Sequence, residues 1–282
     1  MKQWQLAGCL LVAVLALSGC DKKQKPDNNF DYLAVQMSKG DLWSIIDKDG
    51  KEVVKEEYPT EAVLSRISSE GAFWVWHNGK YQLYNVSSPK KPVIDDEFTR
   101  ATRFVAGVAV ASRPNEQIRI IDTEGRTIAM LGKDIKRCSL FNADGHAIIT
   151  NTENKMGVID KQGNVLIGPV MEQINSVSEG LVLAKRDADN NEYMILNMKG
   201  EQVGKISTEK YDLLSTSYSE GKIVVRDAGD YEGCFIVLDK TGKRLFDIKK
   251  ARTRYYAPSS SYLDGFMAFN NEDEEWGVAD ER

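Results

Sequence analysis

The chain has 282 residues, of which 42% are hydrophobic and 28% are charged, and its formal net charge at pH 7 is −5. This composition is typical of a soluble chain that can bury a core. The negative charge argues against a nucleic-acid-binding protein, which would carry a basic face.

Residues 1–19 resemble an export signal rather than part of a folded domain. One lysine near the start is followed by an apolar stretch that is shorter than a bilayer span, and by small residues. The segment LSGC that ends at Cys20 resembles the lipobox of bacterial lipoproteins. The resemblance implies that the chain is cut before Cys20 and that this residue carries lipid, including palmitate, as a membrane anchor. The alternative is a plain secretory signal with an incidental cysteine.

Residues 20–30 are polar, contain a proline and have nothing to pack, which predicts a flexible tether. Asp21, next to the anchor, resembles the signal that retains a lipoprotein in the inner membrane, facing the periplasm. That signal does not hold in all bacteria, so the outer membrane remains the alternative. The predicted location is therefore the cell envelope.

Residues 31–282 repeat one phrase, in which an apolar strand ends in Asp or Asn, a turn contains Gly, and a second strand follows. The copies begin 37 to 42 residues apart, at Trp43, Tyr81, Ile118, Met156, Tyr193, Phe235 and Trp276. Asp or Asn stands four residues later, at Asp47, Asn85, Asp122, Asp160, Asn197, Asp239 and Asp280. The turn position three residues further on is occupied by Gly50, Ser88, Gly125, Gly163, Gly200 and Gly242.

A second glycine column shares this period. Its members are Gly71, Gly107, Gly145, Gly180, Gly221 and Gly265, and each precedes an apolar strand. Asp or Asn can start a turn with its side chain, and Gly enters a positive φ without cost. One copy therefore predicts four strands: A after the second glycine column, B ending in Asp or Asn, C after the turn glycine, and D before the next copy. Ser88 and the neighbouring prolines predict a different turn in the second copy.

Trp-Gly in the last copy, at 276–277, makes the phrase similar to the WG repeat family of tandem bacterial β-repeats. The resemblance covers about residues 31–282 and implies a repetitive scaffold. Helical periodicity is almost absent from the sequence, so the predicted fold class is all-β, with tandem four-stranded repeats. A six- or seven-bladed β-propeller in which strand A is innermost is favoured over an open β-array, because a closed ring protects strand edges.

Residues suited to catalysis or metal binding are few. The two histidines, His77 and His146, fall in A strands two copies apart, and known nucleotide-binding and protease motifs are missing from the sequence. Residues 187–192 begin like a calcium loop but lack its Gly and its twelfth-position Glu, which favours a polar hairpin. Cys138 and Cys234 are interpreted as two separate buried residues. The sequence predicts no catalytic residue, metal or cofactor.

The loops between strands A and B are acidic in three successive copies. Equivalent loops of a ring share one end, so these loops predict an acidic rim that could dock a basic partner, although solvated loop charge is the simpler interpretation. Its candidate residues are Asp187, Asp189, Glu192, Asp227, Asp230, Glu232, Glu272, Asp273 and Glu274.

The favoured function is a lipid-anchored, non-catalytic binding scaffold of the cell envelope, whose partner is an envelope protein or glycan rather than nucleic acid. An envelope hydrolase with carboxylates in the propeller channel is the alternative, since glycoside hydrolysis needs only two carboxylates. The A strands offer almost no acids, which favours binding. A purely structural spacer is the third possibility.

Overall fold

The structure is a computed structural model that describes residues 31–36, 42–213, 217–229, 235–248, 267–270 and 276–279. These ranges contain 24 β-strands and no helix, and therefore no helix that could cross a membrane. The predicted signal at 1–19 and tether at 20–30 lie outside the described residues. The chain divides into two compact units, one ending at Met130 and the other beginning at Leu131.

Three antiparallel sheets make up the first unit, and strands that are consecutive in sequence are neighbours in each sheet. Sheet 1 contains β1 (Tyr32–Val35), β2 (Trp43–Asp47) and β3 (Glu52–Tyr58); sheet 2 contains β4 (Val63–Leu64), β5 (Ala72–His77) and β6 (Lys80–Asn85); sheet 3 contains β7 (Arg100–Ala101), β8 (Val108–Ser112), β9 (Arg119–Asp122) and β10 (Thr127–Met130).

The second unit continues the pattern with four more sheets. Sheet 4 contains β11 (Ile135–Cys138), β12 (His146–Asn151), β13 (Met156–Asp160) and β14 (Val165–Met171); sheet 5 contains β15 (Gln173–Ser178), β16 (Leu181–Lys185), β17 (Glu192–Asn197) and β18 (Gln202–Ser207). Sheet 6 contains β19 (Tyr211–Leu213), β20 (Ile223–Asp227), β21 (Phe235–Leu238) and β22 (Arg244–Ile248); sheet 7 contains β23 (Met267–Asn270) and β24 (Trp276–Ala279).

Each complete sheet is a four-stranded antiparallel meander, which is the arrangement of a propeller blade. The predicted fold class of tandem four-stranded β-repeats is therefore confirmed. The expectation that strand A is innermost is wrong, because A lies between D and B in sheets 3 to 6 and strand D forms the edge. Each of these sheets takes strand D from one sequence copy and strands A, B and C from the next.

The Asp/Asn column starts turns, as predicted. In sheet 4, Oδ1 of Asp160 accepts the backbone N–H of Gln162 at 2.9 Å and that of Asn164 at 2.8 Å. The same pair of hydrogen bonds, to the second and fourth residues onward, is made by Asp47, Asp122, Asn197 and Asp239. The glycines of both columns that fall in the described ranges have φ between +73° and +85°.

Sheet 2 departs from the pattern where the sequence predicts it. No ladder strand follows Ser88, and the segment leading to Phe98 approaches β6 through a bridge between Tyr81 and Phe98. The N–H of Val93 also donates to the carbonyl of Leu83, at 2.7 Å. Proline cannot donate to a ladder, which accounts for the loss of a regular strand C here.

Apolar side chains fill the spaces between neighbouring sheets of a unit. Ile45, Val54 and Phe73 are buried between sheets 1 and 2, and Trp74 lies among residues of sheets 2 and 3. In the second unit, alternate residues of β16 face opposite ways: Leu183 packs toward sheet 6 and Val182 toward sheet 4. Strands buried on both faces explain the nearly continuous apolar runs of the A strands.

Carboxylates at the turns between strands D and A join successive sheets of the second unit. Oδ2 of Asp144 in sheet 4 accepts the N–H of Glu179 in sheet 5, at 3.2 Å. Oε2 of Glu179 in turn accepts the N–H of Gly221 in sheet 6 at 2.7 Å, and lies 3.5 Å from Nζ of Lys240. The acid before the glycine thus links its own turn to that of a neighbouring sheet.

Strand C carries a wide irregularity in sheets 1 and 4. Met156 pairs with Met171 and Val158 pairs with Ile167. An advance of two residues along β13 is therefore matched by an advance of four residues along β14, so β14 contains two extra residues here. In sheet 1 the corresponding shift lies between Val54 and Tyr58 on β3. The residue of strand B that faces the irregular stretch is small in both sheets, Gly157 and Ser44. In sheet 5 the ladder is regular at this place and Met194 stands there.

Candidate functional site

The structure describes four of the predicted rim residues. Asp187 and Asp189 are exposed in the connection between β16 and β17, Glu192 begins β17, and Asp227 ends β20. The other predicted site residues lie outside the described ranges: Cys20, Asp230, Glu232, Glu272, Asp273 and Glu274.

Two of the four described carboxylates have local partners. Oε1 of Glu192 lies 2.7 Å from Nζ of Lys205 on the adjacent strand β18. Oδ1 of Asp227 accepts the N–H of Gly229 at 3.0 Å, which starts the turn after β20. Asp187 and Asp189 are therefore the described rim residues whose charge faces solvent.

The A–B loops of sheets 4 and 5 lie at the same end of the second unit. Nζ of Lys155, in the A–B loop of sheet 4, is 2.5 Å from Oε2 of Glu172. Glu172 and the nearby charge of Asp187 raise the pKa of Lys155, the hydrogen bond from Glu172 being the largest cause. A cation between two carboxylates makes this end mixed in charge rather than uniformly acidic.

Groups suited to metal or nucleophilic chemistry are dispersed. Among the described residues, no three His, Cys, Asp or Glu side chains gather as a metal site would require. His77 lies in the first unit and His146 in the second, where its Nδ1 is buried. Cys138 is a free thiol whose pKa burial raises to about 12, so it is not a nucleophile at neutral pH. Cys234 lies outside the described residues.

Strand D, rather than strand A, is the edge strand beside strand A in sheets 3 to 6. Of the D strands that the structure describes, only β19 carries a carboxylate, that of Asp212. Its Oδ2 lies 2.5 Å from Nη2 of Arg226 on β20. A carboxylate pair of the kind that glycoside hydrolysis uses is therefore not found on these strands.

A cavity of about 420 Å³ lies between sheets 1 and 2, beside the A–B turn of sheet 2. The irregular stretch of β3 brings Glu57 to its wall, and Tyr58 follows as a buried residue. The Tyr58 ring contacts those of Phe73 and Tyr84 edge-on, with both pairs of centroids 5.6 Å apart. The remaining polar lining consists of His77, Asn78, Lys80, Gln82, Lys90 and Glu97.

The tyrosine hydroxyls of this cavity stay protonated. Burial is the main cause that raises the pKa of both Tyr58 and Tyr84, and the charge of Glu57 adds to it. The Tyr58 hydroxyl donates to the carbonyl of Pro89 at 2.9 Å. Lys80 forms an ion pair with Glu97 at the mouth. The cavity thus combines an aromatic floor with a carboxylate at its wall.

Four charged side chains hold the irregular segment of sheet 2 against sheet 3. The carboxylate of Asp96 lies 2.6 Å from Nη2 of Arg113 and 2.9 Å from Nη1 of Arg119, and Glu116 bridges the same two arginines. Both guanidinium groups also lie over the Phe98 ring, at 5.1 and 5.8 Å. The hydrogen bond from Arg113 lowers the pKa of Asp96, and both arginine charges add to this against the effect of burial.

This network predicts a loss of stability in acid. Because the pKa of Asp96 is lower in the folded than in the unfolded state, its contribution is complete above about pH 4 and is lost as pH falls through the folded-state pKa. We expect Asp96→Asn to cost about 1 kcal/mol at pH 6, and the difference from wild type to shrink toward pH 2. Thermal melts across this range, with the exposed Asp95→Asn as control, measure it. A difference that does not change with pH would contradict the prediction.

Sequence reasoning missed the cavity, the Asp96 network and the carboxylates of the D–A turns. The last had a visible signal, because an acid precedes the second glycine column in five of its six members: Glu70, Asp144, Glu179, Glu220 and Asp264. Another signal was the 17-residue spacing shared by two ion pairs, Lys80 with Glu97 and Lys155 with Glu172. The cavity had no such signal, because it depends on the irregular course of β3.

Comparison with solved structures gives similarities at low identity. A eukaryotic initiation factor is similar over 75% of this chain and 60% of its own, at 16% identity and a TM-score of 0.51, and the likeness concerns the fold alone. BamB from Moraxella catarrhalis aligns over 89% of this chain and 82% of its own, at 11% identity and a TM-score of 0.48. The C-terminal WD40 domain of Sif2 aligns over 89% of this chain and 78% of its own, at 11% identity and a TM-score of 0.47.

Comparison at the level of sequence gives one family. No protein of curated function matches the chain. Residues 156–188 match the family model described as WG containing repeat. The matched segment begins at Met156-Gly157, runs through β13, β14, β15 and β16, and contains the turn residues that recur in the other copies. This segment of the chain is therefore similar to the WG repeat.

Proposed function

We propose that this protein is a lipid-anchored, non-catalytic scaffold of the cell envelope that binds an envelope protein or glycan through the A–B loops of its sheets. The tandem sheets support a binding role, because they present equivalent loops on a rigid frame. The observation that carries the proposal is the pair of exposed carboxylates, Asp187 and Asp189, on the A–B loop of sheet 5. A basic surface is the partner that such a loop would favour.

The anchor rests on the resemblance of residues 17–20 to a lipobox. We expect wild-type protein in the membrane fraction of cells, since two or more acyl chains hold a protein stably, at about 0.8 kcal/mol per buried CH₂. Cys20→Ser should move it to the soluble fraction or leave its signal uncut. Cys138→Ser is the matched control and should stay with the membrane. Retention of cleaved Cys20→Ser in the membrane after a carbonate wash would contradict the anchor.

The docking loop is tested by charge reversal. Because Asp227 starts its own turn, the informative variant is Asp187→Lys combined with Asp189→Lys, which leaves that turn intact. When partners are cross-linked in intact cells, we expect this variant to recover at least about tenfold less partner than wild type does. That difference corresponds to a loss of about 1.4 kcal/mol of binding free energy. Lys161→Glu with Lys199→Glu, on two B–C turns, is the control. Equal recovery with the Asp187/Asp189 variant would dismiss the loop.

A further inference from the structure

The cavity between sheets 1 and 2 contains a carboxylate without a counter-charge. Glu57 is half-buried, and no described residue forms a hydrogen bond or an ion pair with its side chain. Glu52, on the same strand, is exposed to solvent. Partly buried charges in proteins are normally paired, because burial without a partner costs free energy. An unpaired carboxylate in a cavity is therefore suited to a ligand that brings positive charge.

The cations that line the cavity do not supply that charge. Lys80 is neutralised by Glu97 at the mouth. Lys90 is exposed on the segment that replaces strand C, and no contact joins it to Glu57. His77 is exposed at the end of β5. The wall around Glu57 thus remains negative while the mouth is mixed in charge.

The aromatic residues beside Glu57 add a second feature that favours a cation. Glu57, Tyr58 and Tyr84 line the same cavity, and the charge of Glu57 adds to the effect of burial that raises the pKa of both tyrosines. Tyr84 is half-buried and its hydroxyl has no partner among the described residues. A ring face and a carboxylate together attract an ammonium group, which gains cation–π energy and a charge-assisted hydrogen bond.

The size and remaining lining of the cavity suit a small ligand. Its volume of about 420 Å³ is within the range of ligand sites, about 300–1,000 Å³. Val75, Ala62 and Pro59 supply apolar wall, and the amide of Gln82 supplies a hydrogen-bonding group. The irregular course of β3 is the kind of feature that re-aims a side chain next to a binding site.

We propose that this cavity binds a small ligand carrying a primary ammonium group, which pairs with Glu57 and lies against Tyr84. The proposal is independent of the docking loop, which belongs to the other compact unit. It assigns a ligand class to a site that needs neither the lipid anchor nor the acidic loops.

The test compares two probes of the same shape, cyclohexylammonium and cyclohexanol, by saturation-transfer NMR with the full chain. We expect cyclohexylammonium to bind more tightly by about tenfold, and Glu57→Gln to remove that advantage. Glu52→Gln, five residues earlier on β3 and exposed, is the matched control and should bind as wild type does. Thermal melts show that each variant is folded.

A second measurement does not depend on any variant. Binding of cyclohexylammonium should weaken from low to high salt while that of cyclohexanol does not, because added ions screen the carboxylate. Equal binding of the two probes to wild type would overturn the proposal. Unchanged cyclohexylammonium binding by folded Glu57→Gln would overturn it as well.

Discussion

Replacing Gly242 by alanine should destabilise the protein by about 3–4 kcal/mol, because backbone strain and a steric clash add at this position. Gly242 occupies the B–C turn of sheet 6 with φ at +84°, where a side chain costs about 1–2 kcal/mol. Its Cβ would also overlap the carbonyl oxygen of Lys205 on β18 of sheet 5. The N–H of Lys205 donates to the carbonyl of Thr241 at 3.3 Å, so the two sheets meet here backbone to backbone and cannot move apart without losing this bond.

Gly50→Ala provides the control for this experiment. Gly50 has the same place in the turn of sheet 1 and φ of +80°, but a Cβ added there has no neighbour within 4 Å. It should therefore cost only the backbone strain, about 1–2 kcal/mol. Urea or thermal unfolding of both variants separates strain from close packing of the sheets. Equal losses in the two variants would show that the contact between sheets 5 and 6 contributes nothing.

Gly157→Ala should cost about 2–3 kcal/mol, for a purely steric reason. Gly157 lies within β13, outside the left-handed region, so its backbone conformation is open to any residue. An added Cβ would stand 2.5 Å from the carbonyl oxygen of Ile167 and 2.8 Å from backbone atoms of Gly168 and Pro169. The irregular stretch of β14 crosses here so closely that only glycine fits.

Gly168→Ala, on the opposing strand, is the matched control. Its Cβ would have no neighbour within 4 Å and its φ is also ordinary, so a change of at most about 0.5 kcal/mol is expected. Thermal melts of the two variants compare them directly. If Gly157→Ala and Gly168→Ala melted at the same temperature, the path of strand C would not explain why position 157 is a glycine.

Local features of the fold could be predicted because each depends on a few neighbouring residues. Asp160 and its equivalents start turns by bonding residues two and four positions onward, and the turn glycines take positive φ whatever surrounds them. The anomaly at Ser88 was equally local, since proline cannot donate to a ladder. A repeat multiplies such signals, so the period and the strand positions followed from the sequence.

The position of strand A in the sheet could not be predicted, because a period fixes the length of a unit but not its phase. The sequence allows strand D to be either the last strand of one sheet or the first strand of the next. The packing of the strands selects the second arrangement. The cavity beside Glu57 could not be predicted from the sequence for a related reason. It depends on the irregular course of β3 between Val54 and Tyr58, which changes the direction of side chains without any distinctive residue.

The one-strand offset between sequence copies and sheets bears on how such a protein can gain or lose repeats. Every complete sheet of the second unit is built from two adjacent copies, so a tandem duplication adds one whole sheet that is already covalently tied to both neighbours. Loss of one copy removes one sheet, and the two sheets on either side of it are then covalently connected to each other. Genetic recombination between copies can therefore lengthen or shorten the array at any breakpoint within the phrase without leaving an orphaned strand.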